Sequence, residues 1–220
     1  MKRLVILISG RGSNLKSLLD EIARASWPVQ VSAVISNRAV AQGLDVARAY
    51  GVPTVVVDHT EFASREAFDQ ALAGAIEAAA PDLITLAGFM RILSPAFCRR
   101  FQGRLLNIHP SLLPSFPGLK THQQALEAGV CVHGCTVHAV TPDLDHGPIL
   151  AQAVVPVLAE DTAQSLADRV LEMEHQLYPM AVAAVLSGQR TLVDGQWVWA
   201  TPDPSFQLDF QSCMVHPRLR

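Results

Sequence analysis

The chain has 220 residues, half of them hydrophobic, which suits one large domain or two closely joined small ones around a sizeable core. Only 17% are charged and the formal net charge is −3, so no global field grips nucleic acid or an anionic membrane, and a bound anion must be held by a local device. The apolar run Leu4–Ile8 behind Met1-Lys2-Arg3 is too short for a signal-peptide core, and nothing later reaches membrane-spanning length, so a cytoplasmic protein is expected.

Arg3–Ser9 reads as a buried strand, and Ser13–Ala25 as a helix with Leu15, Leu18, Leu19 and Ile22 on one face. Val29–Ile35 is a second strand, Ala41–Tyr50 a second helix closed by Gly51, and Thr54–Val57 a third strand. A long helix is expected from Thr60, as N-cap, to about Ala79, with Pro81 marking its end. Asp82–Ala87 follows as a strand, and Ser94-Pro95 has the composition of a helix start. Leu105–Ile108 is a further strand, His109–Lys120 a proline-rich loop, and Cys131–Val140 and Ile149–Val155 two more strands around an acidic loop. A long helix begins near Asp161 and stops before Gly188, with a kink expected at Pro179. Val193–Gln196 predicts a hairpin turn, and residues 200–220 an irregular tail. Strands and helices alternating at this spacing predict an α/β fold: a Rossmann-like three-layer sandwich with a mostly parallel central sheet. Its ligands bind beyond the carboxyl ends of the strands.

Three stretches carry chemistry. Ser9-Gly10-Arg11-Gly12-Ser13-Asn14 joins the first strand to the first helix. Its glycines let backbone approach an anion, and the helix N-terminus offers unpaired N–H groups. The alternative is a tight turn with a capping serine. There is no P-loop lysine, and Leu15 stands where a dinucleotide fingerprint has its third glycine, so one phosphate group is favoured over NAD. Next, Asn107 and His109 are two apart on a strand and face one side. An amide donor beside an imidazole suits attack of an amine on a carbonyl carbon. The same two residues also suit a buried polar pair satisfied within the fold. Third, Asp145 in Asp143–Pro148 is either a carboxylate that orients an imidazole or a turn-forming aspartate before glycine. The four cysteines, Cys98, Cys131, Cys135 and Cys213, form no dense framework and are expected as free thiols. The Cys131–His138 run has strand alternation and lacks the second paired cluster of a structural zinc site.

LISGRGSNL near the start, SREAFD at 64–69, LAGFMRILSP at 86–95, LLNIHPSLLP at 105–114, and the LDHGPIL and EHQLYP runs lie in order between about residues 3 and 199. In these the chain resembles the phosphoribosylglycinamide formyltransferases, folate-dependent enzymes of purine synthesis. The resemblance implies one formyltransferase domain over 1–199, with a phosphate-binding half to about 100 and a folate and catalytic half from about 101. It implies a phosphate site at Gly12, Ser13 and Asn14, and a substrate contact at Glu174. It implies a folate pocket formed by Arg65, Met90, Arg91, Ile92, Leu93, Asn107, Val140 and Asp145. Asn107, His109 and Asp145 would be the catalytic trio, and the loop around 140–145 would close over the folate. One departure is His146 after the aspartate, where a smaller residue is expected.

The implied reaction moves the formyl group of 10-formyltetrahydrofolate, a co-substrate, onto the amine of glycinamide ribonucleotide, with no call for a metal. Neither nucleic acid nor membrane is an expected partner, and a homodimer is compatible with a sequence whose apolar surface cannot be told from its core. The alternative is a formyltetrahydrofolate deformylase, in which water replaces the amine.

Overall fold

The computed structural model describes residues 1–201. All but the first two residues of the expected tail, and Cys213 with them, lie outside the described residues. Seven strands form the central sheet: β1 (Lys2–Ile8), β2 (Val29–Ser36), β3 (Thr54–Val56), β4 (Leu83–Leu86), β5 (Leu105–His109), β6 (Val132–Ala139) and β7 (Ile149–Pro156). Their order is β3-β2-β1-β4-β5-β6-β7. The first five run parallel, and β6 and β7 are antiparallel to their neighbours.

Strand parity decides which layer each residue joins. Leu4, Ile6 and Ile8 of β1 pack with α1 (Ser13–Arg24), α2 (Gly43–Ala49) and the long α6 (Ala163–Leu186). Val5 and Leu7 pack on the other face with α3 (Arg65–Ala78) and α4 (Pro95–Arg100). Helices on both faces of a mostly parallel sheet make the expected Rossmann-like three-layer sandwich. A separate hairpin, β8 (Arg190–Val193) and β9 (Gln196–Trp199), turns through Asp194 and Gly195 at φ 48° and 76°, the left-handed pair that a two-residue turn requires.

Two helix starts are corrected. The helix expected from Thr60 begins at Arg65, capped by Ser64, whose hydroxyl accepts the N–H of Ala67. Asp58 caps only a short 3-10 turn over His59–Glu61 by accepting the N–H of Thr60. Two capping residues six apart compete here, and only the second leads into an apolar helical face. The second helix starts at Gly43, not Ala41. The last long helix continues as one element through Pro179, the position of the expected kink, where the proline has no N–H to give to the carbonyl of His175. Its packing along Leu166, Val170, Leu177, Tyr178 and Val182 holds it together across that gap. A short helix, α5 (Thr121–Glu127), stands where no element was expected.

The sheet places the site. β1 connects outward to β2, whereas β4 lies on the other side of β1, so chain direction switches between the carboxyl ends of β1 and β4. Ligands in open α/β sheets bind at such a point. The loops leaving these two strands are tied together there: Ser9 N–H donates to Gly88 O (3.2 Å), and Met90 N–H donates to Ser9 Oγ (2.7 Å).

Candidate active site

Leu106 and Ile108 point into the core under α6, so Asn107 and His109 stand on the opposite face, as their spacing predicts. Antiparallel pairing of β5 with β6 sets His138 directly opposite Asn107. The loop after β6 then folds back and brings Asp145 to both histidines. An Asp145 oxygen lies 3.5 Å from His109 Nδ1, and the other lies 3.9 Å from His138 Nε2. Asp145 also accepts the backbone N–H of Gly118 at 2.9 Å. The carboxylate is thus buried between two imidazoles and one amide donor. It sits on a backbone with φ 56°, uncommon for a residue with a Cβ.

The ring contacts define roles. His109 Nε2 lies 3.0 Å from Phe116 O, so this nitrogen carries a proton donated to that carbonyl. His138 Nδ1 likewise faces Ala139 O at 3.0 Å, which leaves Nε2 to accept from Asn107 Nδ2 at 3.1 Å. Burial depresses the pKa of His138, opposed by the Ala139 carbonyl and Asp145. A neutral His138 suits its role as acceptor. The proline-rich loop that carries Phe116 is fixed by more than its prolines. Thr136 Oγ1 donates to Ser111 O and accepts from Leu113 N–H, and Thr121 Oγ1 donates to Pro110 O. The Leu113-Pro114 bond is cis.

These residues line a cavity of about 710 Å³, within the range of small-molecule sites. Arg65, Met90, Arg91, Ile92, Leu93, Val140, Asn107, His109 and Asp145 all border it, and at another part of its wall so do Asn14 and Glu174. Met90, Ile92, Leu119 and Leu144 are exposed apolar side chains of this lining. Glu174, buried on α6, accepts from Asn14 Nδ2 at 2.7 Å. Burial raises its pKa, and the bond from Asn14 opposes the rise. At least one amide hydrogen of Asn14 is therefore committed within the protein, which narrows its expected part as a free anion donor. Ser13 does not join this cavity; it borders an adjoining groove with Lys16, Ser17 and His175. Gly12 is the N-cap of α1 at φ 79° and makes no side-chain cap bond. A Cβ on Gly12 would come 2.7 Å from Gly43 Cα, so close packing of α2 explains that glycine. A Cβ on Gly10 meets nothing within 4 Å, and packing does not explain that one.

A family model described as "Formyl transferase" matches residues 2–182. The chain belongs to the formyl transferase family. This formyl transferase is 50% identical over 186 residues to the phosphoribosylglycinamide formyltransferase of Escherichia coli (strain K12), covering 84% of this chain and 88% of that protein. It is 47% identical to the trifunctional purine biosynthetic protein adenosine-3 of Bos taurus over 91% of its own length, but spans only 20% of that longer protein. Its fold matches the crystal structure of glycinamide ribonucleotide transformylase 1 from Symbiobacterium toebii with a TM-score of 0.87 at 46% identity, covering 91% of this chain and 95% of that one.

Sequence reasoning missed His138, Phe116 and Gly118, all of which touch the trio in this formyl transferase. Nothing local marks them. His138 is legible only once the β5–β6 register is known, and the other two act through backbone atoms. Among the described residues no three His, Cys, Asp or Glu side chains converge as a metal site needs, and the Cys131–His138 run forms most of β6. Cys98, Cys131 and Cys135 are free thiols. No helix of the described residues is long and apolar enough to cross a membrane.

Proposed function

We propose that this formyl transferase moves the formyl group of 10-formyltetrahydrofolate to the amine of 5-phosphoribosylglycinamide in de novo purine biosynthesis, acting in the cytoplasm. The observation that carries the reading is convergence. Asn107, His109 and Asp145 share one folate-sized cavity with the pair Asn14 and Glu174, which stands where α1 leaves the glycine loop. Residues 1–199 would act as one domain. The half to about 100 supplies the phosphate site at Gly12, Ser13 and Asn14, and the half from about 101 supplies the catalytic groups. Arg65 and Met90–Leu93 reach into the same cavity from the first half to hold folate. The uncapped N-terminus of α1 and the open space at Gly10 support an anion there.

The substrate amine resembles an α-amino group with a pKa of ~8, so a useful fraction is neutral at physiological pH. Its nitrogen attacks the formyl carbon, and the carbonyl becomes an oxyanion. The hydrogen of Asn107 Nδ2 that His138 does not take is the donor for that oxygen. His109 assists once substrate replaces Phe116 O as the partner of Nε2; catalytic bonds commonly tighten only in the complex. Asp145 holds His109 through its Nδ1 side. The proton lost by the amine reaches the departing folate nitrogen as the carbon–nitrogen bond to folate breaks. In this reading Glu174 contacts the glycinamide substrate, and its bond from Asn14 and its position on the cavity wall support that role.

Absorbance of the tetrahydrofolate product tests the reading. Its formation is expected to depend on added glycinamide ribonucleotide. Equal release without that amine would make the protein a deformylase. Size-exclusion chromatography of the same sample decides between monomer and homodimer.

A further inference from the structure

The hairpin β8–β9 lies beyond the residues matched by the family model, and the chemistry above gives it no task. It is nonetheless firmly built. Arg190 is buried with its guanidinium carbon 4.2 Å from the centre of the Trp199 ring, and Ala200 N–H closes the open end on Gln189 O. From this platform Trp197, half-buried against the core cluster under α6, donates its indole N–H to the carbonyl of Pro148 at 3.0 Å. That carbonyl also accepts the N–H of Ala139 at 3.0 Å. Pro148 is where the loop after β6 returns to the sheet, three residues past Asp145.

The three residues hold little slack. A Cβ on Gly147 would lie 1.7 Å from Ala139 O, so the chain passes that carbonyl at backbone contact. The ring of His146 contacts Leu144 O at 2.6 Å, and its backbone N–H donates to Asp143 O. These two contacts brace the turn around Asp145, whose φ of 56° a side chain does not favour. His146 therefore belongs to the brace. On the other side, Asp145 is held by Gly118 N–H. Fixing Pro148 fixes the only covalent path by which the carboxylate is held from its C-terminal side.

We infer that the β8–β9 hairpin clamps the Asp145 loop, and that Trp197 is a positioning residue for formyl transfer, acting through Pro148. The inference rests on the reading of Asp145 as catalytic. Trp197→Phe keeps a ring and removes the donor. It is expected to lower kcat roughly two- to tenfold, the scale of one neutral hydrogen bond. The KM for glycinamide ribonucleotide should hold, because Asn14 and Glu174 lie on other elements. Amide hydrogen exchange across 140–148 should quicken. In an Asp145→Asn background the same substitution should cost no further turnover. Trp197→His, which keeps an N–H, should stay closer to wild type than Trp197→Phe and replaces it as probe should the phenylalanine variant fail to fold. Unchanged exchange across 140–148, or an equal loss of turnover in both backgrounds, would overturn the clamp. Normal turnover in Asp145→Asn alone would instead overturn the catalytic reading and the link to turnover, while exchange still decides whether the clamp exists.

Discussion

A single buried imidazole decides how the oxyanion donor is aimed. His138 has its Nδ1 proton taken by Ala139 O, so Nε2 is an acceptor and the Asn107 amide must present nitrogen to it. Asn107 then has one hydrogen spent and one free, and its orientation is not left to chance. Asn107→Ala is expected to raise the barrier by roughly 3–4 kcal/mol, a fall of 10²–10³ in kcat; steady-state kinetics with folate and amine varied separately show whether the KM values hold. Asp145→Asn should leave both KM values near wild type and lower turnover sharply, since the amide keeps the shape and loses the charge facing His109. Asn107 and His109 were legible because a two-residue spacing puts side chains on one face whatever the rest of the fold does. Asp145 was not: it depends on a positive φ and a returning loop, and in sequence Asp-His-Gly reads equally well as a turn.

At the scale of elements, boundaries follow from caps and from close backbone approach. Ser64 accepts from Ala67 N–H and opens the helix that presents Arg65 to the cavity. Ser64→Ala should cost about 1 kcal/mol in a denaturant titration, and Thr60→Ala markedly less, because Thr60 caps no helix. The antiparallel pair β6–β7 has a stricter demand at Gly134, where a Cβ would lie 1.9 Å from Ala153 O. Gly134→Ala forces the two strands apart, so its thermal midpoint should fall by the equivalent of at least ~1–3 kcal/mol. That pair carries Thr136, which holds Ser111 and Leu113 of the catalytic loop, so kcat should fall with it. The α1 helix and the seven strands of the sheet were readable because their periodicity and short apolar runs are strong. The α5 helix was not, since its seven residues Thr121–Glu127 bury only Thr121 and Ala125.

Across the whole molecule, packing sets a pH dependence that no local pattern announces. His133 is fully buried on β6, and burial, followed by the field of His122, lowers its pKa to about 4. The unfolded chain takes up this proton near pH ~6.5 and the folded chain only near 4, so unfolding is favoured as pH falls between those values. Stability from this group is full above the unfolded value and is lost as pH drops toward the folded one. Urea titrations at pH 7 and 5 should show a smaller loss for His133→Asn than for wild type, compared as a change within each protein. By itself the sequence determined the alternation of elements, the mostly parallel sheet, the glycine loop at the head of α1 and the shared face of Asn107 and His109. Each of these depends on period and spacing within a few tens of residues. Only the tertiary structure decided that His138 stands opposite Asn107, that Glu174 takes the amide of Asn14 across 160 positions, and that Trp197 reaches Pro148. Those contacts arise from strand register and helix packing, which bring distant residues together by geometry that no local pattern encodes.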